Sequence, residues 1–134
     1  MALLGIDYGS RKVGLAIAEG VLATPLRVLR WESRRELGQE IQRACAEYDV
    51  RTMVVGMPHP LRGGKSARVV AMEEFVEWLR RESTLPVVTE DERLTTAFAK
   101  RLMRGWKSNA EDDAIAAAVI LQSYIERTRK DAPV

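Results

Sequence analysis

At 134 residues, 46% of them apolar and 30% charged, the chain has the size and composition of one globular domain spanning 1–134 with a core of its own. The longest near-apolar run, Ala114 to Leu121, is too short to cross a bilayer, and the first residues lack the charged-then-apolar design of a signal peptide, so a cytoplasmic protein with no membrane partner is expected. The net charge of +2 is compatible with a nucleic-acid partner without requiring one, and a single cysteine, Cys45, excludes an internal disulfide.

In chain order, Leu3 to Tyr8 is a short apolar run with strand character, and Gly9-Ser10-Arg11-Lys12 is turn material. From Val13 to Ala18, large residues (Val13, Leu15, Ile17) alternate with small ones (Gly14, Ala16, Ala18), which is the period of a strand. A third strand is predicted through Ala23 to Arg30, completing an antiparallel meander. Leu37, Ile41, Ala44 and Tyr48 then recur at helical spacing, with Cys45 on that side as a packing residue. Thr52 to Gly56 is a β-branched run closed by Pro58. Val69, Met72, Val76 and Leu79 mark a second amphipathic helix, Pro86 to Thr89 a fifth strand, Thr95 to Met103 a short helix, and Ala114 to Ile125 a last one. The order βββαβαβαα implies an α/β fold: a mixed five-stranded sheet with helices on both faces, the later strands parallel to the first.

Polar groups in such sheets gather at the carboxyl ends of the parallel strands. Asp7 lies near the end of the first strand, the Val54-Val55-Gly56-Met57-Pro58 loop follows the fourth, and Glu90, Asp91 and Glu92 follow the fifth. A buried strand aspartate costs several kcal/mol unless it is paired or metal-bound. The structural alternative for Asp7 is a cap on the Gly9-Ser10 turn, but Gly5 and Gly9 on either side suggest room for a metal or bulky anion to approach. Alternation puts Glu90 and Glu92 on one side and Asp91 on the other. Arg93 beside them is a buried counter-ion or a phosphate contact, and Thr95 or Thr96 caps the next helix. Asp112 and Asp113 open the final helix, where acids favour the helix dipole, and periodicity does not choose which of them looks inward.

Acids converging from separate elements repel unless a cation joins them, and a hard divalent ion with oxygen ligands is the economical partner. Metal-assisted phosphodiester hydrolysis is the chemistry such a set performs. No histidine or cysteine cluster offers a zinc site, and His59, the lone histidine, sits in a Pro-His-Pro turn unsuited to a serine-hydrolase triad. Basic residues in or beside loops, among them Arg11, Lys12, Arg62, Lys65, Arg93 and Lys107, form a candidate phosphate-contacting set, with ordinary solvated charge as the alternative.

Four fragments carry a resemblance to a known family: Gly5-Ile6-Asp7-Tyr8-Gly9 with Val13-Gly14-Leu15-Ala16; Val55-Gly56-Met57-Pro58; Asp91-Glu92-Arg93-Leu94-Thr95-Thr96; and Asp113 with Ala116-Ala117 and Ile120-Leu121-Gln122-Ser123-Tyr124. Together they cover almost the whole chain, which resembles the YqgF/RuvX family of RNase H-like nucleases. Members of that family are associated with Holliday junction resolution and with maturing the 5′ end of pre-16S rRNA. The resemblance implies an RNase H-like fold, an acidic site on Asp7, Glu92 and Asp113 that is at once catalytic and metal-holding, and dependence on Mg²⁺ or Mn²⁺. It also implies a nucleic-acid partner, RNA in ribosomal precursor particles first and branched DNA second, with a monomer or a homodimer as the assembly. Two loops depart from the family pattern, His59 to Ser66 and the short Trp106 to Glu111 segment, where Trp106 is a candidate for base stacking. A non-catalytic nucleic-acid-binding module is the alternative from a second class, opposed by retention of all three acids. A nucleotide-binding actin-like protein, suggested by the Asp7-Tyr8-Gly9-Ser10 turn, would need a second lobe for which the chain is too short.

Overall fold

The computed structural model describes residues 1–58, 66–92, 97–106 and 111–131; of Phe98, Trp106, Lys130 and Asp131 it describes the backbone alone. Nine elements follow in the expected order: β1 (Ala2–Tyr8), β2 (Lys12–Ala18), β3 (Thr24–Arg30), α1 (Arg34–Glu47), β4 (Val50–Met57), α2 (Ala67–Glu82), β5 (Val87–Asp91), α3 (Ala97–Trp106) and α4 (Asp112–Asp131). The sheet order is β3-β2-β1-β4-β5. β1 to β3 form the antiparallel meander, and β4 and β5 join parallel to β1. The one shift of consequence is at β5, which continues through Glu90 and Asp91. Glu90 pairs with Gly56 and Asp91 with Met57, so these acids belong to the strand rather than to the loop after it.

The alternation of large and small residues divides the sheet into two unlike faces. Val13, Leu15 and Ile17, with Leu4, Ile6, Met53 and Val55, pack under Leu37 and Ile41 of α1 and Met72, Phe75 and Leu79 of α2. The other face presents Leu3, Ala16, Ala18 and Val54 to Ala117, Ala118, Leu121 and Ile125 of α4. Small residues there let α4 lie directly on the strands, and it touches all five. A Cβ added at Gly5 would come within 2.8 Å of both Ala117 O and Leu121 Cβ, and one at Gly56 within 2.4 Å of Ile120 Cδ1. Gly5 therefore seats a helix, which corrects the expectation that it opens the backbone to a ligand: the space above it is filled by α4.

The helix ends are locally specified. Ser33 caps α1 by accepting from Glu36 N–H at 3.2 Å, and Ser66 caps α2 by accepting from Val69 N–H at 3.2 Å. On α4, buried Gln122 accepts from Ala23 N–H (2.8 Å) and donates to Val21 O (3.0 Å), clamping the hairpin between β2 and β3. Cys45 is half-buried, and burial pushes its thiol up to about 11, away from the thiolate form a reactive cysteine needs.

Candidate active site

Leu3 and Gly5 face α4, so Asp7, two residues further along β1, projects from the same side of the sheet. Its cross-strand partner is Gly14. A Cβ at Gly14 would lie 1.9 Å from the carbonyl oxygen of Asp113, so the first turn of α4 rests on the residue beside Asp7. The third acid arrives from the far side. Glu92 follows β5 immediately, and its N–H donates to Met57 O at 3.0 Å, tying it to the end of β4. Its Cγ lies 3.3 Å from the position of a Cβ on Gly56. Asp7, Glu92 and Asp113 thus share the carboxyl edge of the sheet, each half-buried.

The fields at that edge oppose one another. Burial first, then the charges of Glu92 and Asp113, push the Asp7 carboxyl up to about 6, against the lowering influence of Arg68. Arg68, in the first turn of α2, places one guanidinium nitrogen 3.4 Å from each carboxylate oxygen of Glu92. The chain directions also bring the N-termini of α1, α2 and α4 to this edge, and their partial positive charge favours an anionic ligand.

Carboxylate oxygens from three elements are the donor chemistry of a hard divalent cation. As the side chains stand, no group of three acidic, histidine or cysteine side chains is gathered to hold a metal ion among the described residues. Glu92 is turned to Arg68 instead.

Of the other residues singled out in the sequence, Asp112 is exposed, and Arg11 and Lys12 are exposed on the turn between β1 and β2, where Gly9 N–H donates to Lys12 O at 3.0 Å. Arg62, Lys65, Arg93 and Lys107 lie outside the described residues, as do His59, Thr95 and Thr96, and the side chain of Trp106 is not described. Glu90 is 2% exposed and accepts from Arg127 of α4 at 3.0 and 2.6 Å, so the counter-ion of this buried acid is Arg127, whose own side chain is open to solvent. Sequence reasoning missed both pairings, Arg68 with Glu92 and Arg127 with Glu90. Arg127 was detectable: it falls seven residues, two helical turns, after Ile120 on the face that packs against the sheet. Arg68 carries no such signal, because only the fold sets α2 beside β5. A cavity of about 390 Å³ between α1 and α2, lined by Ile41, Cys45, Met53 and Leu79, lies on the opposite face from the acids.

A five-stranded sheet in this order, with acids brought to its carboxyl edge by its first strand, its last strand and a closing helix, defines the RNase H-like class. The fold matches that of T. thermophilus RuvC solved in complex with Holliday junction substrate, with a TM-score of 0.69 at 15% identity over 97% of this chain and 96% of that one. It also matches the fowlpox virus Holliday junction resolvase, with a TM-score of 0.55 at 12% identity over 96% and 99% of the two chains. Among sequence relatives, proteins named "Putative pre-16S rRNA nuclease" from Lactobacillus johnsonii and Geobacillus thermodenitrificans are 38% and 40% identical, over 98% and 96% of this chain and 99% and 100% of theirs. The family model described as RuvX, Holliday junction resolvase, matches residues 1–127. The chain belongs to the RuvX family and is a nuclease of RNase H-like fold.

Proposed function

We propose that this chain is a divalent-metal-dependent nuclease of the cytoplasm that processes the 5′ end of pre-16S rRNA, with Asp7, Glu92 and Asp113 holding the metal. The observation that carries the reading is the placement of three acids at one sheet edge: Asp113 rests on the Gly14 that pairs with Asp7, and Glu92 is tied to Met57 beside Gly56. The name shared by relatives that align along nearly the whole chain supports the RNA substrate. When bound, Mg²⁺ or Mn²⁺ supplies an activated water for attack on phosphorus and stabilises the departing oxygen. The protein's own contribution is positional. Asp7 is fixed by the sheet, Asp113 by the contact of its backbone with Gly14, and Glu92 by its bond to Met57. Arg11 and Lys12, exposed on the adjoining turn, hold neighbouring phosphates, and Arg62, Lys65, Arg93 and Lys107 extend that set.

The test is cleavage of 5′-extended 16S rRNA and of a four-way DNA junction in Mn²⁺, with Asp7→Asn alongside. Wild-type protein should cut the RNA near its mature 5′ end. The variant should lose at least a thousandfold in rate, an order-of-magnitude expectation for deleting a group that places the metal, yet still bind RNA, because cationic side chains supply that affinity. Paired nicks in the junction and none in the RNA would move the assignment to branched DNA. Undiminished cutting by the variant would remove Asp7 from the site.

A further inference from the structure

We infer that Arg68 is the resident counter-ion of the acidic edge: it holds Glu92 in the metal-free protein and gives it up when a divalent cation is taken up. The inference rests on the metal site proposed above. Glu92 and Arg68 differ in how firmly they are held. Glu92 has its backbone tied to Met57 and its side chain 22% exposed, whereas the Arg68 side chain is 63% exposed. The contact itself is loose. One guanidinium nitrogen sits 3.4 Å from both carboxylate oxygens, beyond the roughly 2.7–2.9 Å of a tight charge-assisted bond and without the second nitrogen of a bidentate fork. A pair of this kind neutralises without locking.

Arg68 also acts on Asp7, opposing the charges of Glu92 and Asp113. It therefore supplies to the acids, in part, the positive charge a metal would supply in full. This accounts for a pairing of facts otherwise at odds: three acids share one edge, yet no three are gathered around a common point among the described residues. Glu92 must turn from Arg68 before the set can close. The Ser66 cap fixes where α2 begins and so sets Arg68, in its first turn, beside Glu92.

The experiment is Mn²⁺ binding by calorimetry on the full chain at pH 7.5 and low salt, without nucleic acid. Arg68→Gln should bind about three- to fivefold more tightly than wild type, the range expected for removing a partly exposed ion pair as competitor. Arg68→Lys, which keeps the charge, should stay near wild type. Arg30→Gln, which removes a cation paired with Glu111 on the same edge at 3.3 Å, should change nothing. Unchanged or weaker binding by Arg68→Gln, or an equal gain in Arg30→Gln, overturns the inference. Asp7→Asn distinguishes the two levels. Mn²⁺ uptake that is indifferent to Asp7 sinks the metal site itself and this inference with it; Asp7-dependent uptake that ignores Arg68 sinks the inference alone.

Discussion

Asp7 bears a cost that the fold does not offset. Its carboxyl is pushed from 3.8 to about 6, by burial first and then by Glu92 and Asp113, so its charged form is disfavoured in the folded chain relative to the unfolded one. The sign follows: a raised folded pKa means the penalty is fully present above about 6 and disappears as pH falls through 6 towards 3.8, where both states are protonated. Asp7→Asn should therefore stabilise the metal-free protein at pH 7.5 by about 1–3 kcal/mol, at roughly 1.4 kcal/mol per pKa unit discounted for partial exposure. The gain should vanish near pH 3.5. Urea unfolding of both proteins at several pH values measures it, and equal stabilities throughout would show that Asp7 is not strained. A destabilising acid retained at a strand end is what an active site looks like. The sequence made Asp7 visible through its apolar neighbours; periodicity could not choose between Asp112 and Asp113, and only the family resemblance pointed to Asp113. That choice depends on which residue's backbone rests on Gly14, a contact spanning almost a hundred residues that no local period reports.

At the scale of elements, the two faces of the sheet do different work. The face bearing Val13, Leu15 and Ile17 makes the core with α1 and α2, while the face bearing Gly14, Ala16 and Ala18 lowers α4 onto the strands and so sets the height of Asp113 beside Asp7. The alternation was legible in the sequence as a strand signal, helical spacing marked α1 and α2, and apolar or β-branched runs between turn residues marked most of the rest. What the periods could not give was the purpose of the small residues, because a glycine reads as a weak spot until the helix above it is known. The end of β5 escaped for a related reason: acids at a strand terminus resemble turn residues, and only pairing with Gly56 and Met57 keeps Glu90 and Asp91 in the sheet. Gly14→Ala places a methyl 1.9 Å from the Asp113 carbonyl, where backbone rather than a flexible side chain must yield. It should cost about 2–3 kcal/mol, in the range of core overpacking, and weaken Mn²⁺ uptake by displacing the start of α4. Gly20→Ala, with nothing within 4 Å of the new methyl, should stay near wild type. Chemical unfolding of the pair tests both statements, and a harmless Gly14→Ala would mean that α4 is free to rise.

At the scale of the whole molecule, one helix determines whether the acidic edge exists. Gln122 of α4 holds the hairpin beside edge strand β3, and Arg127 of α4 reaches Glu90 on edge strand β5, so the helix is fastened at both margins of the sheet it crosses. The second fastening is the more demanding. Glu90 is 2% exposed; one of its oxygens takes both bonds from Arg127, while the other, like the hydroxyl of Ser123, finds no hydrogen-bond partner among the described residues. A buried carboxylate so dependent on one cation stabilises little in absolute terms, because desolvation consumes most of the attraction, yet it penalises heavily the loss of its partner. Arg127→Met should accordingly cost about 2–4 kcal/mol at neutral pH, the upper part of the buried-pair range being reduced because Arg127 is itself 45% exposed. Adding Glu90→Gln to that variant removes the stranded charge and should recover a large share of the loss, a coupling that a double-mutant cycle in urea reads directly. Because β5 leads into Glu92 and α4 carries Asp113 in its first turn, the single variant should also loosen the site, lowering Mn²⁺ affinity alongside stability, and the double variant should restore both together. Recovery of stability without recovery of metal uptake would show that the Glu90–Arg127 pair secures the fold but not the edge where the acids meet.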